Sequence, residues 1–285
     1  MKKMIISAVT AAILMGISLN AATSAQVKDN ALKSAKLNAQ NNQVKIVQEA
    51  VKAVYLTKKV FVDLDKKDTK LAIKDLEDAI GKLEVILADK NSPKLLPVDT
   101  SVSAVEYVGS VEDLKKSLDI VSELLDDGKV QEARKILSTL QSEIDLVSIN
   151  LPLASYPDAL KLAAKYLHSN NIEGAKAVLA AALNTMVKEV VVVPIPLLKA
   201  DSLIAAASEV AKKDRDQAIK HLNAAKEELK IAQTLGYLSD SDVTYKILND
   251  KIDEVEKEIK GKNEVAKLFE DLKAKMKSFK EKITK

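Results

Sequence analysis

The chain has 285 residues, of which 47% are hydrophobic but only 3% aromatic, with no Trp and no Cys. Disulfide and thiol chemistry are thereby excluded, and sugar or exposed-base stacking is disfavoured because it relies on aromatic faces. Its 44 basic and 41 acidic side chains leave a net charge of +3, too small a field for nucleic acid.

Lys2 and Lys3, the apolar run Met4 to Leu19 and the small, polar stretch Asn20 to Ala25 form a secretory signal pattern over residues 1–25. Thr23-Ser24-Ala25 offers cleavage after Ala25, with Ala21 and Ala22 as alternatives. The apolar run is too short and interrupted for a comfortable span, so the expectation is a periplasmic chain with no stable membrane insertion after cleavage. Residues 26–43 are rich in Ala, Asn and Lys and lack a sustained apolar face, which predicts a flexible leader.

From Val44 the apolar spacing becomes helical and continues to Leu64. Lys66-Lys67 marks a turn, and Asp68 caps a second helix carrying Leu71 to Leu87, which Asn91-Ser92-Pro93 stops. Leu95 to Val108 alternates apolar and polar residues around Pro97, as an extended strand would. Ser110 and Asp113 open a second hairpin with arms 111–125 and 130–146, turning at Asp126-Asp127-Gly128. Ile149 to Leu153 is again extended and proline-marked. A third hairpin follows, Ala159 to His168 and Ile172 to Lys188. Val190 to Leu197 repeats the extended piece, and the fourth hairpin spans Ala200 to Lys212 and Arg215 to Gly236.

An apolar-x7-Ala-x3-Leu spacing recurs in all four hairpins, as Leu64, Ala72, Leu76; Leu125, Ala133, Leu137; Leu167, Ala175, Leu179; and Val210, Ala218, Leu222. Matching hairpins indicate repetition. The three extended pieces between them contain four consecutive valines, and buried backbone needs partners, so they are expected to pair as a small sheet. Beyond Gly236 a Lys/Glu-rich segment carries two apolar seams, Leu248 to Ile259 and Phe269 to Ile283, broken at Gly261 and Asn263. These must fold back on the hairpins or zip against another subunit. The fold class is therefore mainly α, repeated helical hairpins with a few short strands between them, plus a coiled-coil-like C-terminal extension over 237–285.

No catalytic, cofactor or metal constellation emerges. His168 and His221 sit beside repeat positions and lack ligand spacing, which makes them surface polar residues. The acidic pairs Asp63/Asp65, Asp126/Asp127 and Asp240/Asp242 fall at turns, where they cap helices and stay solvated rather than perform acid-base or Ca2+ chemistry. Tyr107, Tyr156 and Tyr166 lie on or beside the extended pieces and are the candidate binding residues, each presenting a ring face and a hydroxyl.

The order of these units resembles the YfdX family of bacterial periplasmic proteins. The resemblance is carried by Leu160-Lys161-Leu162-Ala163-Ala164-Lys165-Tyr166-Leu167 with Gly174-Ala175, by Pro194-Ile195-Pro196-Leu197-Leu198-Lys199-Ala200, and by Ala218 to Ala225. It covers residues 44–236. It implies a secreted helical homo-oligomer linked to envelope stress, chaperone-like or binding small amphiphiles or unfolded protein, with no catalytic motif to carry over. Two other readings stand beside it: a tetratricopeptide-like scaffold, with an open array and a continuous groove, and an enzyme using carboxylates alone.

Overall fold

The computed structural model describes residues 22–238, 243–261 and 263–283. Among them are eleven helices and a three-stranded antiparallel sheet, the mainly helical class that the periodicity predicts. In chain order these are α1 (Ser24–Asn41), α2 (Gln48–Asp65), α3 (Thr69–Leu87), β1 (Leu95–Val105), α4 (Val111–Asp126), α5 (Val130–Leu137) and β2 (Glu143–Pro152). There follow α6 (Tyr156–His168), α7 (Ile172–Asn184), β3 (Val187–Pro194), α8 (Ile195–Val210), α9 (Arg215–Thr234), α10 (Val243–Lys260) and α11 (Ala266–Ile283).

The repetition is written into the backbone. Three residues after the apolar repeat position, Lys67, Gly128 and Asn170 all adopt a left-handed conformation, with φ of 62°, 73° and 59°. In each turn the next residue's N–H reaches back to the carbonyl just before the repeat position, as from Asp68 to Asp63, Lys129 to Leu124 and Asn171 to Tyr166. These are helix ends closed by a left-handed residue. Asp68, Asn171 and Asp214 then cap the following arm by accepting from the N–H of Leu71, Gly174 and Gln217. Lys129, at the same place in the second hairpin, makes no side-chain cap.

The three extended pieces do pair, in the order β1-β2-β3. Pro97, which has no N–H to donate, is tolerated because β1 is an edge strand. Its carbonyl instead accepts from Val47 N. The second arm of the second hairpin is shorter than its spacing suggested. It ends at Leu137, where the hydroxyls of Ser138 and Thr139 bond back to the carbonyls of Lys135 and Ile136. Residues 143–146 are strand, with Ile144, Leu146, Ser148 and Asn150 alternating inward at a period of two. Helix α8 starts earlier than expected, at Ile195, because Pro196 sits in the first turn where a missing N–H costs nothing.

The chain divides into two compact units, one formed by residues 22–42, 102–145 and 191–283 and the other by 43–101 and 146–190. In the second unit, hairpins α2–α3 and α6–α7 pack on each other, with the second arm of one against the first arm of the other in both directions. Leu76, Leu83, Leu96, Leu151, Tyr156, Leu160 and Leu179 fill the core between them.

The first unit is built on hairpin α8–α9. Residues 26–43, expected to be a loose leader, belong mostly to helix α1, which lies along α8. Its buried face is Val27, Ala31, Ala35 and Ala39, one residue per turn, and alanine allows the close approach. Thr23 caps it through a reciprocal bond with Gln26. The C-terminal seams fold back on their own chain: Leu248, Ile252, Val255, Phe269, Leu272, Met276 and Phe279 join the core laid down by Leu203, Leu222 and Leu229.

Candidate functional site

An open groove of about 500 Å3 lies in the second unit. Helix α2 supplies Val51, Val54, Tyr55 and Lys58, whose spacing of three, one and three places them on one helical stripe. That stripe flanks the fully buried one, Ala50, Ala53, Thr57 and Val60. Strands β1 and β2 add Val98, Asp99 and Ile149, and the end of the α6–α7 hairpin adds Leu183 and Met186. The wall is thus aliphatic, Tyr55 stands 65% exposed above it, and Lys58 and Asp99 supply opposite charges. This volume and lining suit a small molecule with an apolar body and a polar or charged end.

None of the three tyrosines singled out from the sequence lines this groove. Tyr156 is completely buried in the core of the second unit. Burial pushes its hydroxyl up to about 12, and that hydroxyl lies near Thr57 yet finds no partner in hydrogen-bonding geometry. Tyr166, near the end of α6, is half-buried against the same core. Tyr107 belongs to the first unit, where its hydroxyl donates to the Ser110 carbonyl at 3.1 Å and its ring covers Gly109. The aliphatic stripe on α2 was legible as helical periodicity, but its division into a buried half and a groove half was not.

Among the histidines, His168 is exposed, 3.8 Å from Glu77. His221, expected at the surface, is fully buried. Its Nδ1 lies 3.0 Å from Ser24 Oγ and its Nε2 lies 3.2 Å from Gln217 Nε2, which also donates to the Ala22 carbonyl. Neutral imidazole, donating from Nδ1 to Ser24 and accepting at Nε2, satisfies both contacts. Burial lowers its proton affinity, partly offset by the Asp214 carboxylate. Burial is favoured because the ring clamps α1 to α9.

The acidic pairs also separate. Asp65 is exposed and paired with Lys176 at 2.7 Å, whereas Asp63 is buried rather than solvated, since α3 packs over the end of α2. Asp63 shares Lys59 with Asp75 of α3, and its carboxyl is held above the ordinary range by burial and by the hydrogen bond to Asp75. Asp126 and Asp127 are exposed at their turn, and Asp240 and Asp242 lie outside the described residues. Among the described residues no three His, Asp or Glu side chains gather as a metal site.

A second charged group is buried in the first unit. Lys199 of α8 meets Glu106 at 2.6 Å, and Lys28 of α1 meets Glu228 of α9 at 3.1 Å. Burial raises the Glu228 carboxyl, and the charges of Lys199 and Lys28 pull it back. Tyr237 is a further anchor that sequence reading passed over: its hydroxyl donates to Glu143 at 2.6 Å and accepts from Ser142 N at 3.0 Å.

The family model described as YfdX protein matches residues 53–192, from within α2 through most of β3. No curated protein matches the chain. A solved structure of Salmonella Typhi YfdX is similar at 14% sequence identity and a TM-score of 0.37, covering 53% of this chain and 93% of that one. Through residues 53–192, which hold β1, β2, most of β3 and most of the first three hairpins, the chain belongs to the YfdX family.

Proposed function

We propose that this is a non-catalytic periplasmic protein of the envelope stress response that binds small amphiphilic molecules, or apolar segments of unfolded protein, in the groove beside α2. The groove's aliphatic wall carries the reading: Val51, Val54, Val98, Ile149, Leu183 and Met186 offer apolar contact, and Lys58 and Asp99 offer a place for a charged end. Such a lining holds a ligand by burial and orients it by one or two polar contacts. The N-terminal segment is taken as the signal for export, and family membership supports the stress role. Among the described residues no helix is long and apolar enough to cross a membrane.

The carboxylate-enzyme reading has less support. Asp63 and Asp75 converge, but on Lys59 within helix packing rather than on the groove. The tetratricopeptide reading has less still: hairpin α2–α3 packs on α6–α7, which is not the next hairpin in the sequence.

The test is titration with an anionic fluorescent naphthalene sulfonate, comparing the wild type with Val54→Glu and Met186→Glu. Each variant should weaken binding by about tenfold or more, equivalent to ~1.4 kcal/mol. Unchanged binding in both, with folding intact by circular dichroism, would remove the groove from consideration.

A further inference from the structure

The four hairpins differ in one respect that their shared sequence spacing does not foretell. In three of them both large repeat positions are buried: Leu64 at 4% and Leu76 at 0%, Leu167 at 3% and Leu179 at 0%, Val210 at 1% and Leu222 at 0%. In hairpin α4–α5 the equivalent Leu125 and Leu137 are 47% and 43% exposed, and Val130 between them is 49% exposed, although the small Ala133 is buried as in the other copies. The hairpin holds together and touches α9 through α4, but among the described residues nothing covers its outward apolar positions.

How this repeat covers such positions is visible in the second unit. Hairpins α2–α3 and α6–α7 do so mutually, each laying its first arm on the other's second arm. Two identical hairpins can repeat that arrangement about a two-fold axis, where a surface must complement itself. The charges of α4–α5 meet this requirement. Helix α4 carries Glu112, Asp113, Asp119, Glu123 and Asp126 against Lys115 and Lys116, whereas α5 carries Arg134 and Lys135 against Glu132 alone, and in the turn between them Lys129 pairs with Asp127. First arm on second arm therefore sets an acidic helix on a basic one twice, while first on first would oppose like charges.

We propose that hairpin α4–α5 is the surface by which two copies of this chain associate, first arm on the partner's second arm, burying Leu125, Val130 and Leu137. This deepens the homo-oligomer expectation and rests on it. It moves the assembly surface from the C-terminal seams, which are consumed within the chain's own core.

Light scattering on the purified chain, its Leu125→Asp/Leu137→Asp variant and a charge series provides the test. The wild type should show twice the chain mass, and the aspartate variant should associate at least about tenfold more weakly. Because both positions are already half open to water in the single chain, circular dichroism and Tm should change little. Arg134→Glu/Lys135→Glu should weaken association, and adding Asp119→Lys/Glu123→Lys should restore it, which a merely destabilised hairpin would not do. A wild type that is a monomer overturns both this surface and the oligomer expectation. An oligomer whose mass the aspartate variant leaves unchanged overturns this surface alone. A monomeric wild type that suppresses aggregation of reduced α-lactalbumin, with the aspartate variant failing to do so, would give the surface to unfolded segments and overturn the proposal.

Discussion

Ser24 and His221 stand 197 positions apart in the chain, yet the serine hydroxyl and imidazole Nδ1 meet at 3.0 Å. This contact joins the first turn of α1 to the middle of α9 within the first unit. The ring has no exposed surface, so its protonation must be accommodated without water.

A pH-dependent stability difference is therefore expected. His221 has a folded-state proton affinity below its ordinary value, so its contribution is complete above the unfolded pKa, about 6.5. It is lost as the pH falls through that value toward the lower folded one. Replacing His221 by Gln keeps hydrogen-bonding capacity but cannot titrate. At pH 7.5 the variant should be less stable by about 1 kcal/mol. Thermal melts at pH 7.5 and pH 5 should show that gap narrowing or reversing in acid, and a constant gap would show that the imidazole does not titrate with unfolding.

Export processing is expected upstream of Thr23. Cleavage after Ala25 would remove both the capping Thr23 and the Ser24 hydroxyl, leaving His221 without its Nδ1 partner and α1 without its reciprocal cap. Cleavage after Ala21 keeps the Ala22 carbonyl that Gln217 uses. The intact mass of the exported chain should place its first residue at Ala22 or Thr23. A start at Gln26 would mean that α1 is held by its alanine stripe alone.

Glu228 and Lys28 should respond unequally to substitution. Burial holds the Glu228 carboxyl above its ordinary range, so its stabilising contribution is present in acid and is lost as the pH rises through the folded value. Glu228→Gln removes that loss and should be neutral or stabilising by up to about 1 kcal/mol at pH 7. Lys28→Met leaves a buried carboxylate with Lys199 as its remaining counter-charge and should cost about 1–3 kcal/mol. Urea unfolding of both variants at pH 7 distinguishes these signs.

Tyr156 serves as a packing test. Its ring is fully enclosed by the second unit's core, and its hydroxyl has no hydrogen-bond partner in good geometry. Tyr156→Phe should lie within about 1 kcal/mol of the wild type, whereas Tyr156→Ala should cost about 3–5 kcal/mol. A large loss for the phenylalanine variant, measured by urea unfolding, would show that the hydroxyl does bond to Thr57.

Wherever an element's signal lies in neighbouring residues, the amino-acid sequence determined it. Apolar residues three and four apart specified the eight hairpin helices, because one face of each must leave water. Pro97, Pro152 and Pro194 separated the extended pieces, because proline cannot donate to a ladder or continue a helix. Even the shared turn was legible as apolar-x7-Ala, with Asp68 placed to cap the arm that follows the first of them.

Only the tertiary structure decided which faces found partners. Alanines at 31, 35 and 39 read as a polar leader because alanine carries little hydrophobic signal, yet the close approach of α8 makes them a buried stripe. His221 and Asp63 read as surface groups because polarity predicts exposure, and each is buried where a second helix brings a hydrogen bond to it. The groove arises from Val51, Val54 and Tyr55 lying one helical step beyond the stripe that the second unit's core covers. Burial depends on the packing of segments distant in sequence, so four copies of one spacing yield three closed hairpins and one with its leucines in water.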